Sequence, residues 1–476
     1  MARFFKYKSL DDLRADVDKR GLDIAFRSDF SPLGEPIAIG PVRAGNRLAI
    51  HPMEGCDGTA DGHPGELTYR RYRRFGAGGA KLIWGEATAV IEEGRANPRQ
   101  LWINESTAAS FAQMLQGCRL AHRERFGNDD DLVVGLQLTH SGRYCYRRPL
   151  LAFHDPLLDP LIVADRTTGK KVDAAYPLLD DDYLKRLEEH YVRAARLAFH
   201  VGFDFVDLKQ CHRYLLSELL AAKTRPGLYG GSFENRTRLV RNVIERIKSE
   251  APGSVVCTRF SAYDGIPFRP HPQTNVGQPV AYDLPVRCAF GVAEGDPFAE
   301  DLEEPLALVA MLQGLGVPLV NVSMGNPYAN PHVVRPADYP PVDGYEAPEH
   351  PLEGVARHFR IAAAIQGAFP EMVVVGGGYS WLQGFVGHAA AANVGQGRVK
   401  MIGVGRAALP YPDFARAILE DGRFEQRRVC RTFSYCTALM RAKHNEQGQF
   451  ATGCPPFDKE VYGPIWKAAE EGRASK

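Results

Sequence analysis

The chain has 476 residues, 45% hydrophobic and 24% charged, and carries a formal net charge of +1 at pH 7. These values are typical of a soluble globular protein with a large core. They give no electrostatic reason to expect nucleic acid, an anionic membrane or an acidic partner. Nine cysteines without a CxxC pair, and a charged N-terminus that does not look like a signal peptide, favour a cytoplasmic location without disulfides.

Short apolar runs alternate with helical patterns along the chain. The continuous apolar character of the runs is typical of strands buried on both faces of a parallel sheet. They lie at 47–53, 80–88, 132–140, 203–209, 255–262, 318–325, 372–378 and 398–405. In the segment 181–202, between the third and fourth runs, apolar residues such as Leu184, Leu187 and Tyr191 recur at three- and four-residue steps, which predicts an amphipathic helix. Eight strand–helix units predict an α/β fold, a TIM (β/α)8 barrel, with a doubly wound open sheet as the alternative.

Three long insertions, about 143–180, 263–300 and 326–350, interrupt the alternation. Each follows the C-terminal end of a strand, where barrel enzymes build their sites. The alternation stops near residue 422. We therefore expect an N-terminal extension over 1–35, a barrel over 36–421 and a C-terminal extension over 422–476, which contains Cys430, Cys436 and Cys454.

Glycines and an arginine follow the last two strands. Gly377 and Gly378 end the seventh strand, and Gly405 and Arg406 end the eighth. Glycines let backbone N–H groups approach an anion closely, and a guanidinium can bind two phosphate oxygens. A tight turn and a surface ion pair would explain either feature alone. Together, at this end of a barrel, they predict a phosphate site.

Two polar residues interrupt otherwise apolar strands. Arg259, if buried, needs an anionic or strongly hydrogen-bonding partner. Gln137 offers both an acceptor and donors, which suits the edge of an amide-like ring. An internal salt bridge and a satisfied core amide are equally open alternatives for these two residues.

Several stretches resemble the old yellow enzyme family of flavin oxidoreductases, which includes NADH:flavin oxidoreductases and 2,4-dienoyl-CoA reductase. They are HPMEGCDG and its continuation to residue 90, LQLTHSGR (136–143), FDFVDLKQCHRYLLSELL (203–220) and YGGSFENRTRL (229–239). The last is close to the family signature YGGS-x-ENR. The resemblance covers about residues 35–420. It implies an FMN-dependent oxidoreductase that uses NADH or NADPH, binds FMN without a covalent bond and acts on a small-molecule substrate, with a homo-oligomer possible.

The resemblance also implies the cofactor contacts. Pro52, Met53 and Ala87 would touch the flavin, Gln137 its pyrimidine edge, and Arg259 the region of N1 and C2=O, where negative charge collects on reduction. The full implied set is Pro52, Met53, Glu54, Ala87, Gln137, Arg259, Ser323, Gly377, Gly378, Gly405 and Arg406.

By the same resemblance, the segment after the fourth strand would bind the substrate. Lys209 and His212 would hold a carbonyl oxygen while hydride moves from flavin N5, and Tyr214 would protonate the α-carbon. Tyr328, in the insertion after the sixth strand, would line the same pocket. The expected reaction is reduction of an α,β-unsaturated carbonyl compound. An amine or ether dehydrogenase (demethylase), a non-redox flavin isomerase and a binding protein remain alternatives, as does a structural role for His212 and Tyr214.

The sequence departs from the family pattern at three places. Lys209 replaces a usual histidine, and Glu54 replaces a small residue near N5 and C4=O. We expect these two charges to neutralise each other, unless Lys209 reaches solvent and Glu54 caps a loop. Larger relatives bind a 4Fe–4S cluster through four closely spaced cysteines. Here Cys430, Cys436 and Cys454 are widely spaced, and Phe433 stands at an expected ligand position, so we predict no iron–sulfur cluster.

Overall fold

The computed structural model describes residues 4–341, 343–442 and 448–474. Eight parallel strands close into a barrel in which each strand pairs with its neighbours in the chain and the last pairs with the first. The strands are β1 (Leu48–Ile50), β2 (Leu82–Ala89), β3 (Val133–Thr139), β4 (Phe205–Leu208), β5 (Val255–Ser261), β6 (Leu319–Ser323), β7 (Val373–Gly376) and β8 (Met401–Val404). All eight predicted runs form barrel strands, so the TIM barrel is confirmed and the open sheet is wrong.

One main helix follows each strand and covers the outside of the barrel. These helices are α1 (Glu66–Gly76), α2 (Ala108–Phe126), α3 (Asp181–His200), α4 (Phe233–Glu250), α5 (Glu303–Gly314), α6 (Pro351–Ala368), α7 (Val386–Gly395) and α8 (Phe414–Leu419). Helix α3 begins where the Asp180 side chain accepts a hydrogen bond from the backbone N–H of Tyr183. Its predicted apolar face is buried against the barrel, including Leu184 and Tyr191.

The apolar core has two layers. The larger one lies between the strands and the surrounding helices. The smaller one fills the barrel at its N-terminal end, where side chains such as Trp84, Phe205 and Met401 meet. A hairpin of Ile37–Ile39 and Val42–Ala44 closes that end, with Ile37, Ile39 and Ala44 in the same cluster. The packed end leaves the opposite, C-terminal end of the barrel free for a site.

The insertions form short elements around this open end, whereas the N-terminal helix Ser31–Gly34 lies at the closed end, where the Leu33 carbonyl accepts from the backbone N–H of Arg47 just before β1. The insertion after β5 contains two small hairpins, and the further helices are Leu10–Lys19, Ser31–Gly34, Leu215–Leu220, Pro331–Val334, Tyr435–Arg441 and Lys459–Ala474. The last two belong to the C-terminal extension. Asp458 anchors it to α1 by accepting from Arg70 at 2.7 Å and from Arg74 at 2.8 Å. Among the described residues, no helix combines the length and apolar character needed to cross a membrane.

Candidate active site

A pocket of about 1250 Å³ opens at the C-terminal ends of the strands. The residues that the sequence analysis placed in the cofactor and substrate sites all line this one pocket. They are Pro52, Met53, Glu54, Ala87, Gln137, Lys209, His212, Tyr214, Arg259, Ser323, Tyr328, Gly377, Gly378, Gly405 and Arg406. The structure therefore brings these residues together, while the individual roles assigned to them stay predictions.

A bulge in β2 shapes one wall of the pocket. Gly85 pairs with Leu136 and Ala87 with Gln137, so Glu86 is an extra residue without a partner on β3. The buried Glu86 carboxylate accepts from the backbone N–H of Gly55 at 2.8 Å and from Arg71 at 2.6 Å. This network fixes the loop after β1, which carries Glu54.

A buried aspartate organises the floor of the pocket. Asp207, on β4, accepts hydrogen bonds from the Gln137 side chain at 2.6 Å, the Trp84 indole at 2.7 Å and the Arg259 backbone N–H at 2.7 Å. Burial raises the pKa of its carboxyl to about 6. Asp207 thus holds Gln137 and β5 in position. Sequence analysis did not single it out, although a carboxylate in a buried strand was the available signal.

Ser323 connects Arg259 to His212. Its hydroxyl accepts from Nη2 of Arg259 at 3.3 Å and lies 2.9 Å from Nε2 of His212. His212 has a left-handed backbone with φ of 66°, and its N–H donates to the Ser261 hydroxyl at 3.0 Å. Burial, reinforced by the charge of Arg259, lowers the pKa of His212 well below its usual value. The imidazole is therefore neutral at physiological pH.

No ion pair within 4.0 Å joins Lys209 and Glu54, whose charges we expected to neutralise each other, although each charge still acts on the pKa of the other group. The Lys209 side chain is buried, and its ammonium lies 3.5 Å from the centre of the Tyr214 ring. The Glu54 carboxylate instead accepts hydrogen bonds from Asn97 and, at 3.5 Å, from Gln100. Burial raises the pKa of Glu54 to about 7, and the positive charge of Lys209 opposes this rise. The two charges interact across a gap, and Lys209 does not reach solvent.

Two guanidinium groups meet near the glycines that follow β7 and β8. Arg406 donates to the Thr437 hydroxyl at 2.5 Å, and Arg335 donates to the Ser434 hydroxyl at 2.6 Å. Within the described ranges, neither arginine has a carboxylate within 4.0 Å, and Nη1 of Arg335 is buried without a partner. Burial and the charge of Arg335 lower the pKa of Arg406 to about 9. An uncompensated pair of cations fits a phosphate group such as that of FMN.

The C-terminal extension also reaches the pocket, which sequence analysis missed. The residues that it contributes are Thr437, Met440, Arg441 and Thr452. No motif marked them, and Arg335 in the insertion after β6 was likewise not predicted. Their position at the pocket depends on packing between segments that are distant in sequence.

The cysteines of the extension are free thiols. Burial, together with the nearby thiols of Cys430 and Cys436, raises the pKa of Cys454 above its usual value. No group of three or more His, Cys, Asp or Glu side chains in the part of the chain that the structure describes is arranged to hold a metal ion. The absence of an iron–sulfur cluster stays a prediction.

Comparison with known sequences identifies relatives. The profile of the NADH:flavin oxidoreductase / NADH oxidase family matches residues 32–270. NADH:flavin oxidoreductase FG08077 of Gibberella zeae is 27% identical over 307 residues, which cover 61% of this chain and 66% of that protein, slightly less than two thirds. NADPH dehydrogenase of Halalkalibacterium halodurans is 25% identical over 309 residues, or 64% and 74% of the two chains.

Solved structures share the fold at lower identity. The old yellow enzyme homologue from Zymomonas mobilis superposes with a TM-score of 0.58 at 22% identity, covering 83% of this chain and 94% of that one. 2-Naphthoyl-CoA reductase, in complex with 2-naphthoyl-CoA, superposes with a TM-score of 0.66 at 14% identity, and the match covers 92% of this chain and 58% of that one. Histamine dehydrogenase from Rhizobium sp. 4-9 superposes with a TM-score of 0.58 at 22% identity, and the match covers 83% of this chain and 48% of that one. With the family profile over half of its length and a barrel of the same kind, the chain belongs to the NADH:flavin oxidoreductase / NADH oxidase family, FMN oxidoreductases of the old yellow enzyme type.

Proposed function

We propose that this protein reduces the activated C=C bond of an α,β-unsaturated carbonyl compound, using FMN and either NADH or NADPH. The observation that carries the proposal is the wall formed after β4. Lys209, His212 and Tyr214 line the same pocket as Arg259 and Ser323, with a neutral imidazole beside a buried cation and a buried phenol. These are the groups needed to hold a developing enolate and to protonate a carbon.

FMN fits the described residues at both ends of the pocket. Arg406 and Arg335 would bind the phosphate, and Arg259 would place positive charge near the pyrimidine edge of the flavin. Gln137 is held by Asp207 and would present its amide to that edge. When bound, FMN would supply the hydride, which it would receive from NADH or NADPH.

One arrangement of the hydrogen bonds around Ser323 would leave Nδ1 of His212 as a donor to the substrate. Because Arg259 donates to the Ser323 oxygen, the Ser323 hydroxyl proton is available to Nε2 of His212. The imidazole then carries its own proton on Nδ1, which would donate to the substrate carbonyl oxygen. The ammonium of Lys209 would stabilise the negative charge that grows on this oxygen as the C=C bond is reduced.

Tyr214 would deliver the proton to the α-carbon. Burial raises the pKa of its phenol well above the usual value, so the proton is present at physiological pH. The Lys209 ammonium over its ring would stabilise the phenolate left behind.

The same contact disfavours an amine substrate, the closest alternative. An ammonium group entering the pocket would approach Lys209, which already occupies the face of the Tyr214 ring. No observation in the pocket favours an isomerase over a reductase.

Stopped-flow absorbance of the flavin tests the proposal. NADH or NADPH should bleach the bound flavin, and a small enone such as cyclohexenone should restore its colour with formation of the saturated ketone. His212→Ala should slow the enone step by about 100-fold, within the range for general acid–base groups, and leave bleaching nearly unchanged. A protein that converts enone substrates without consuming the reductant, or that does not bleach at all, would contradict the proposal.

A further inference from the structure

Three tyrosines from three loops meet at the mouth of the pocket. Tyr144 follows β3, Tyr214 follows β4, and Tyr328 lies in the insertion after β6. The hydroxyl oxygens of Tyr214 and Tyr328 are 3.1 Å apart, a hydrogen-bond distance. The Tyr144 ring packs against both, with its centroid 4.5 Å from that of the Tyr328 ring and 5.7 Å from that of the Tyr214 ring.

The Tyr214–Tyr328 pair spans the boundary between an enclosed space and an open one. Tyr214 lines the pocket and is 4% exposed, whereas Tyr328 is 44% exposed. Tyr328 lines both the pocket and a second, open groove of about 2750 Å³, which Tyr144 also lines. The two hydroxyl groups therefore form a short chain from the interior of the pocket to the groove.

A buried proton donor needs such a connection. If Tyr214 gives its proton to a substrate, a phenolate remains in an environment where burial disfavours its charge. It must regain a proton before the next turnover. In the part of the chain that the structure describes, the Tyr328 hydroxyl is the side-chain partner recorded for the Tyr214 hydroxyl.

We propose that Tyr328 is a proton relay, which reprotonates Tyr214 after each turnover with a proton taken from water in the groove. The inference rests on the proposed role of Tyr214 in C=C reduction. The Tyr214 O–H bond breaks as a C–H bond forms at the substrate α-carbon. The Tyr328 proton then moves along the 3.1 Å hydrogen bond to the Tyr214 oxygen, and Tyr328 takes a proton from water in the groove. The hydroxide left behind is neutralised by the bulk buffer, so each turnover consumes one solvent proton.

Burial and the negative charge of Glu54 raise the pKa of the Tyr328 phenol above its usual value, so the ionised form must be short-lived. The surroundings hold Tyr328 in place and supply a cation beside its ring. Its backbone N–H donates to Oδ1 of Asn326 at 2.9 Å, and the Asn326 amide donates to the Tyr144 hydroxyl at 2.5 Å. The Arg441 guanidinium lies 5.7 Å from the centre of the Tyr328 ring. Each of the two relay phenols thus has a cation beside it, Lys209 for Tyr214 and Arg441 for Tyr328.

Tyr328→Phe in the FMN-loaded enzyme tests the relay. Flavin bleaching by NADPH and the first reoxidation by cyclohexenone should stay within about twofold of the unmodified enzyme, because Tyr214 still begins with its proton. Multiple turnover should fall by about tenfold, less than the loss of a general acid itself would cause, because water can still reprotonate Tyr214 slowly. It should recover partly when imidazole buffer is added at increasing concentration. Tyr146→Phe is the matched control and should keep normal turnover, because Tyr146 lines the groove while its hydroxyl accepts from Nε of Arg147 at 3.1 Å and lies outside the chain.

Three outcomes would overturn the relay. These are unchanged multiple turnover in Tyr328→Phe, slow turnover that buffer does not restore, and a first reoxidation slowed as much as later ones. The last would make Tyr328 a residue that positions Tyr214. A separate variant, Tyr214→Phe, tests the proposed function itself: if its first reoxidation is unchanged, Tyr214 is not the proton donor.

Discussion

The Glu54 carboxyl should make the stability of this protein fall as the pH rises towards neutrality. Burial raises its pKa from the usual value of 4.5 to about 7, so between these pH values the folded protein keeps a proton that the unfolded chain has released. The state that binds more protons is the folded one, and its stability therefore decreases with increasing pH over this window. At about 1.4 kcal/mol for each pKa unit, the total loss is about 3 kcal/mol, of which about 2.5 kcal/mol falls between about pH 5 and about pH 8.

Glu54→Gln removes this titration, and Gln can still accept the hydrogen bond from Asn97. Between about pH 5 and about pH 8, the free energy of unfolding in urea should fall by about 2.5 kcal/mol less in the variant than in the unmodified protein. Glu124→Gln removes a carboxylate from an exposed position of α2 and serves as the control, with little change in this difference. Because Asp207 and other buried groups titrate in both proteins, only the difference between variants is informative. If the stability curves of Glu54→Gln and the unmodified protein run parallel with pH, the carboxyl is not held protonated.

Further predictions concern the cofactor and the charges around it. Arg406→Ala and Arg335→Ala should each weaken FMN binding by about tenfold or more, measured from the fluorescence of released flavin, because each removes a charge-assisted contact to the phosphate. Arg360→Ala, at an exposed surface ion pair, should leave FMN affinity unchanged; an equal loss there would contradict a phosphate site. Lys209→Met should lower the flavin potential, with Glu54→Gln partly restoring it; purely additive potentials would mean that the two charges do not act on each other. Purified protein should be yellow and free of iron by metal analysis. A brown protein with stoichiometric iron would show that the prediction of no iron–sulfur cluster is wrong.

The fold was predictable from local pattern because a parallel barrel buries both faces of its strands. Each strand must then be a continuous apolar run, and such runs are visible without knowledge of what packs against them. The residues of the proposed phosphate site were recognisable in the sequence for a similar reason, since Gly378 has a left-handed backbone with φ of 87° and Arg406 closely follows a strand. These features depend on a residue and its immediate neighbours in the chain.

What only the tertiary structure decided is which side chains meet across long distances in sequence. Thr437 and Arg335 reach the pocket beside Arg406, at the proposed phosphate site, from the C-terminal extension and from the insertion after β6. The sequence identified Lys209 and Glu54 as unusual charges, but not their partners. Asn97 and Gln100, from the loop after β2, donate hydrogen bonds to the Glu54 carboxylate, and the Lys209 ammonium lies over the Tyr214 ring instead. Hydrogen bonding and burial at a site are set by groups that several loops bring together, so neither can be deduced from any one segment alone.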